Sequence, residues 1–198
     1  MVKKILTFLN KEFHGVNEAA LLLGGFAFLS QLLGLIRDRT LAYVVGAGPE
    51  LDVYYAAFRI PDFLYISIAS LASITVLMPF LMEKINAESD GANKAKSFLN
   101  NVFSAYMLFM IVISVIVAIF MPYIARFIAP GFTETQIDSL ILTSRIMLFS
   151  PIFIGLSNLI GTVTQLFRNF FIFSLSPLFY NVGILIGIIF LYPLYGVY

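Results

Sequence analysis

Arg37, Asp38 and Arg39 place three charges within one helical turn, inside the first long apolar segment of the chain, Ala19 to Val45. A charge at the bilayer centre costs about 2.5–3.5 kcal/mol on insertion scales, so such residues face protein or water and not lipid. Arginine stays charged at any depth, and its planar fork takes a phosphate or carboxylate through two parallel hydrogen bonds. The chemistry on offer is therefore recognition of an anion inside a membrane. A second group follows at three-and-four spacing, Asp52, Tyr55, Arg59 and Asp62, which is one face of a helix. On the first helix, Gly24, Ala27, Gln31, Gly34 and Asp38 form one stripe. Ser30, Gly34, Arg37 and Leu41 form the next, about 100° round.

Two readings of these faces stand side by side. In one, Arg37, Asp38, Arg59 and Asp62 are internal ion pairs that set the register of two helices. In the other, the arginines line a hydrated cavity and hold an anionic group of a substrate, with Gln31 on the same face. Arg39 lies nearer the interface, where its side chain can snorkel. Arg145, in the outer part of a later apolar segment, fits either reading. Asn158, Gln165 and Asn181 read as hydrogen bonds between helices.

The elements that position these residues follow from composition. Of 198 residues, 60% are hydrophobic and only 12% charged, about half the charge of a soluble domain. Mean hydropathy is +0.95. A bilayer takes about 20 apolar residues per helix, and five segments qualify, near residues 19–45, 52–82, 98–127, 138–164 and 170–194. The expected fold is all-α, a polytopic bundle of about five to six membrane helices over residues 19–198. Residues 1–18 precede it, with Val2, Ile5, Leu6, Leu9 and Phe13 on one face and Lys3, Lys4 and Lys11 off it. That pattern fits a cytoplasmic amphipathic helix lying on the membrane.

Loop charge sets the orientation. With the N-terminus inside, the cytoplasmic side carries Lys3, Lys4, Lys11, Lys84, Lys94, Lys96 and Arg168, against Arg126 outside. Pro61, Pro151 and Pro177 fall within spans, where each removes a backbone hydrogen bond and bends the helix. Pro61 and Pro177 are the candidate hinges. Small residues at helical spacing, Gly183 with Gly187 and Ser157 with Gly161, read as close helix contacts.

Much chemistry is excluded. The chain has no cysteine and one histidine, His14, so neither a thiolate nor a histidine-based nucleophile is available within a span. No phosphate-binding loop of the G-x-x-x-x-G-K-[ST] type occurs, and no metal-ligand cluster is evident. A net charge of +1 gives no reason to expect nucleic acid. The chain reads as a transporter and not an enzyme.

The same residues carry a family likeness. Ser30-Gln31-Leu32-Leu33-Gly34-Leu35-Ile36-Arg37-Asp38, then Gly46-Ala47-Gly48, Asp52 and Ala57-Phe58-Arg59-Ile60-Pro61-Asp62, resemble the MurJ/MviN lipid II flippases. Ala129-Pro130-Gly131-Phe132, Arg168-Asn169-Phe170, Pro177 and Asn181 extend the match. That family shares a superfamily with polysaccharide exporters and cation-coupled multidrug antiporters. The resemblance implies the N-terminal lobe of a longer, MATE-like protein of the bacterial cytoplasmic membrane. Such a protein moves a lipid-linked peptidoglycan precursor of the undecaprenyl-pyrophosphate type to the outer leaflet by alternating access.

It further implies that arginines hold the pyrophosphate and that Arg37, Asp38 and Asp52 match functional positions, with Arg59 at a basic position and Asp62 where Asn is common. No cofactor is expected beyond coupling to membrane potential or a monovalent ion. The expected partners are the lipid-linked precursor, membrane lipid and enzymes of cell-wall synthesis. The chain departs from the family at Gln31 and Tyr65, where arginines are expected, and at Ser70-Leu71, which replace a Glu-Gly pair. The alternatives are an exporter of another lipid-linked polysaccharide, a cation-coupled antiporter, and a membrane scaffold that transports nothing.

Overall fold

A computed structural model describes residues 16–69, 74–85, 91–167 and 169–195. The expected N-terminal amphipathic helix, Ser70-Leu71 and Arg168 lie outside the described residues. Within them the chain is a series of helices: α1 (Val16–Val45), α2 (Pro49–Ala69), α3 (Ile74–Ile85), α4 (Gly91–Ile128), α5 (Glu134–Met147), α6 (Phe149–Leu166) and α7 (Phe170–Ile186). A π-turn at Gly187–Leu191 and the short α8 (Tyr192–Tyr195) follow. Among the described residues four stretches are long and apolar enough to cross a membrane: Ala20–Val45, Asn93–Ile128, Glu134–Leu166 and Phe170–Leu194. With Leu108, Ile119, Phe127, Phe153 and Phe179 all more than 60% exposed, this is the surface of a multi-pass membrane protein, for which lipid and not water is the apolar solvent. The expected second span is two helices on either side of residues 70–73. Of these, α2 has the length, at 21 residues, but carries Glu50, Asp52, Arg59 and Asp62.

Local sequence explains the helix ends. α1 stops at Gly46, whose φ of 83° is left-handed and whose N–H caps the Ala42 carbonyl at 3.2 Å. Glycine enters that region without a Cβ clash. α5 starts with a capping box. The Thr133 hydroxyl accepts from the Gln136 N–H, and the Gln136 side chain accepts from the Thr133 N–H at 2.9 Å. This arrangement satisfies two donors that a helix start leaves free. The break at Leu148 lies three residues before Pro151, which has no N–H to give the Met147 carbonyl.

The chain divides into two compact units. One comprises the chain up to Leu51 and from Gly161 onward. In it α1 packs along α7, with Phe26 edge-on to Phe171 at 5.4 Å between ring centroids. The seam of α7 runs through Ser174 and Asn181, and Ile188 in the π-turn continues it. This seven-residue spacing returns to one helical face. Gly183 and Gly187 lie off the seam and have no atom within 4 Å of an added Cβ, so the expected GxxxG contact is not made among the described residues. Gly161 is a close-contact glycine, with the Phe173 ring 2.8 Å from where its Cβ would be.

The other unit, Asp52–Ile160, has a continuous apolar core. Val53, Ala56, Ala57, Ile60 and Leu64 of α2 pack with Met121 and Ala125 of α4 and Ile137 and Leu140 of α5. A second cluster joins Ile68, Leu77, Tyr106, Met110, Ile152 and Leu159.

Candidate functional site

The α1 stripe Ser30, Gly34, Arg37, Leu41 is the face that meets α7. Leu41 is buried, and Gly34 brings the backbone near enough for an added Cβ to lie 3.8 Å from the Asn181 Oδ1. Across this seam Asn181, 6% exposed, uses both ends of its amide. Its Oδ1 accepts from Arg37 Nη1 at 3.0 Å. Its Nδ2 lies 3.2 Å from the Ser30 carbonyl, 3.1 Å from the Ser30 hydroxyl and 3.1 Å from the Pro177 carbonyl.

Arg37 is held on its other side by Asp38. Nε and Nη2 approach the same carboxylate oxygen at 2.9 and 2.8 Å. A guanidinium has five N–H donors; the hydrogen bonds engage Nε and one N–H of Nη1, so that, with Nη2 in ion contact with Asp38, at least one N–H remains on each Nη nitrogen. The pair is only half-sunk, with the Arg37 side chain 26% and the Asp38 side chain 52% exposed. Gln31 and Arg39 are exposed on α1. The sequence placed both on this helix correctly, but the seam does not include them.

In the Asp52–Ile160 unit, α2 buries one face and turns the other out. Val53, Ala57, Ile60 and Leu64 are buried, whereas Asp52, Tyr55, Arg59 and Asp62 are exposed. The two sets are nearly opposite on a helix of 3.6 residues per turn. Among the described residues the ion pairs are Arg37–Asp38 and Arg126–Glu134, so Arg59 and Asp62 take no part in one. The ion pair that Arg37 makes is local, with the adjacent Asp38 of α1. Pro61 and Pro177 are interior to α2 and α7.

Arg145 has a different partner from any expected. Its Nε donates to the Ala118 carbonyl at 3.0 Å. In a regular helix that carbonyl would accept from residue 122, and residue 122 is proline. Pro122 has no N–H, so the guanidinium supplies the missing donor. Sequence reasoning overlooked Pro122, although a proline 32 residues into a 38-residue helix was there to be read together with the arginine of the next apolar segment. Arg145 also borders a groove of about 200 Å³ walled by Ile111, Val115, Phe149 and Ile152.

Asn158 donates to the Tyr65 hydroxyl, so Asn158 and Asn181 are interhelical bonds as expected. Gln165 makes no hydrogen bond through its side chain among the described residues. No cluster of three or more metal-ligating side chains occurs there either.

Comparison with known proteins extends the likeness. The family model described as lipid II flippase MurJ matches residues 41–198. The match begins just after Arg37-Asp38 and takes in Asp52, Arg59, Asp62, Arg145 and Asn181. The probable lipid II flippase MurJ of Rickettsia prowazekii is 29% identical over 171 residues, covering 85% of this chain and 33% of that protein. The lipid II flippase MurJ of Burkholderia cenocepacia is 30% identical over 178 residues, 89% of this chain and 34% of its own length. The probable lipid II flippase MurJ of Aquifex aeolicus is 26% identical over 184 residues, 91% and 36% respectively. The chain thus spans about a third of the length of the curated relatives it matches. A match along four-fifths of the sequence, on a helical membrane scaffold with arginine at depth, places the chain in the lipid II flippase MurJ family.

Proposed function

We propose that this chain supplies the N-terminal helices of a flippase that carries a lipid-linked peptidoglycan precursor across the bacterial cytoplasmic membrane by alternating access. The observation that carries this reading is Arg37, fixed on two sides by Asp38 and Asn181 yet retaining an N–H on each Nη nitrogen. A guanidinium so placed can receive two oxygens of a pyrophosphate in parallel. As the phosphate approaches, it competes with the Asp38 carboxylate, and exchange of one anion for the other keeps the guanidinium charge compensated at every stage.

The exposed face of α2 supports the same reading. Asp52, Arg59 and Asp62 are turned away from their own apolar core, and a charged face at membrane depth needs a hydrated or protein-lined space beside it. Arg59 would meet the headgroup there, and bending at Pro61 and Pro177 would alternate the access. The N-terminus would lie on the cytoplasmic side, with membrane potential or a monovalent ion driving the cycle.

The test is replacement of Arg37 in the full-length protein, in cells depleted of their own flippase. Arg37→Ala should abolish rescue while membrane insertion is retained. Arg37→Lys should fail as well, because a single ammonium cannot reproduce the fork. Full rescue by Arg37→Ala would remove pyrophosphate capture from the mechanism and leave the hydrogen bond to Asn181 across the α1–α7 seam as its role.

A further inference from the structure

We infer that Asn181 is a positioning residue for Arg37 and ties the direction of that guanidinium to the bend at Pro177. This inference rests on the anion-binding role given to Arg37 above.

The argument begins from what the Asn181 amide must satisfy. Its oxygen takes an Arg37 Nη1 proton at 3.0 Å. Its nitrogen serves the Pro177 carbonyl, one turn back on α7, and Ser30 on α1. Four contacts on one buried side chain need donors and an acceptor at the same end, and the asparagine amide offers two N–H donors beside an acceptor oxygen while neutral. Aspartate would hold Arg37 more tightly but would face the Ser30 and Pro177 carbonyls with negative charge. Leucine would fill the space but remove the acceptor of Arg37 Nη1 and the donor to Ser30.

The Asp38 bond cannot replace this tether. Asp38 adjoins Arg37 on α1 and moves with it, so it fixes the side chain only relative to its own helix. Asn181 is 144 residues away and is the contact through which another helix specifies where Nη1 points. Because the same amide nitrogen holds the carbonyl of Pro177, a change in the α7 bend moves the acceptor of Arg37. Capture and release of an anion are thereby linked to helix bending through a single side chain.

The first measurement does not depend on the transport reading. Full-length protein in detergent is labelled with phenylglyoxal, and modification is quantified residue by residue by mass spectrometry. Arg37 should label several-fold faster in Asn181→Leu than in the unaltered protein, with Arg39 on the same helix as an unchanged control. Equal Arg37 rates in the two proteins would overturn the inference, whatever the protein transports.

The second measurement is binding of purified lipid II. Asn181→Leu should weaken it about tenfold, the usual scale for a lost hydrogen bond to a charged group. In an Arg37→Lys background the same change should add nothing further, because a residue acting through Arg37 has no effect once the fork is gone. Additive losses would make Asn181 an independent structural residue. Failure of the unaltered protein to bind lipid II would count against the proposed function, while the labelling result would still decide the role of Asn181.

Discussion

Along the α1–α7 seam, polar side chains turn inward and meet one another: Ser30, Arg37 and Asn181 are joined by direct hydrogen bonds. In the Asp52–Ile160 unit the arrangement is reversed. Its main cluster, from Val53 to Leu148, is apolar, the polar side chains buried near it are the small Ser114, Thr143 and Ser144, and the charges of α2 stay on the outside. Both regions carry arginine on helices of a membrane protein, yet the arginines are used differently. Arg37 is held by side chains and keeps donors available. Arg145 is spent on a backbone carbonyl that a proline left without its donor. Arg59 is held by neither. The contrast shows that an arginine at membrane depth has several physical explanations, and that only its hydrogen-bond partners separate a binding group from a structural one.

Three substitutions in the second unit press on this contrast. The largest effect is expected at Gly155, where an added Cβ would lie 1.5 Å from the Tyr106 hydroxyl, itself donating to the Pro151 carbonyl at 2.8 Å. Gly155→Ala should cost about 1–3 kcal/mol by overpacking, read as lowered thermal stability of the purified full-length protein. Tyr106→Phe should not relieve it, since the ring carbon Cζ would still be 2.2 Å away. A stability change near zero would mean that packing does not hold this unit as described.

Arg145 comes next. Arg145→Gln removes the donor to the Ala118 carbonyl and should cost about 1 kcal/mol, the usual net contribution of one hydrogen bond. Pro122→Ala restores an N–H to that carbonyl, so in its presence Arg145→Gln should cost little stability and leave depletion rescue intact. If the double variant is stable and rescue is lost, Arg145 belongs with the binding arginines and the distinction drawn above fails.

The smallest stability effect is expected at Arg59, which is exposed and takes part in no ion pair among the described residues. Arg59→Gln should change stability by no more than about 0.5 kcal/mol while impairing rescue. Loss of stability in parallel with rescue would make Arg59 a structural residue after all.

Much of the architecture was legible in the sequence because its causes are local. Runs of about 20 apolar residues marked the spans, and the last of them, expected near residues 170–194, matches Phe170–Leu194. Three-and-four spacing separated the charged face of α2 from its buried face, and the same spacing brought Ser30, Gly34, Arg37 and Leu41 together. The second span was harder to read, because Asp52, Arg59 and Asp62 interrupt its hydropathy while leaving its helical period intact. Gly183 and Gly187 misled for the opposite reason: their spacing permits a close contact, but spacing carries no information on whether another helix is there.

The sequence alone determined that this chain forms apolar membrane helices with arginine at depth, since burying backbone in lipid requires helices and burying charge requires a partner or water. Tertiary structure decided which partner each charge has. Asn181 joins Arg37 across 144 residues, and Arg145 reaches a carbonyl 27 residues earlier in the chain. Hydrogen bonds depend on distances of a few ångströms between atoms that helix packing brings together, and no local periodicity encodes which helix packs against which.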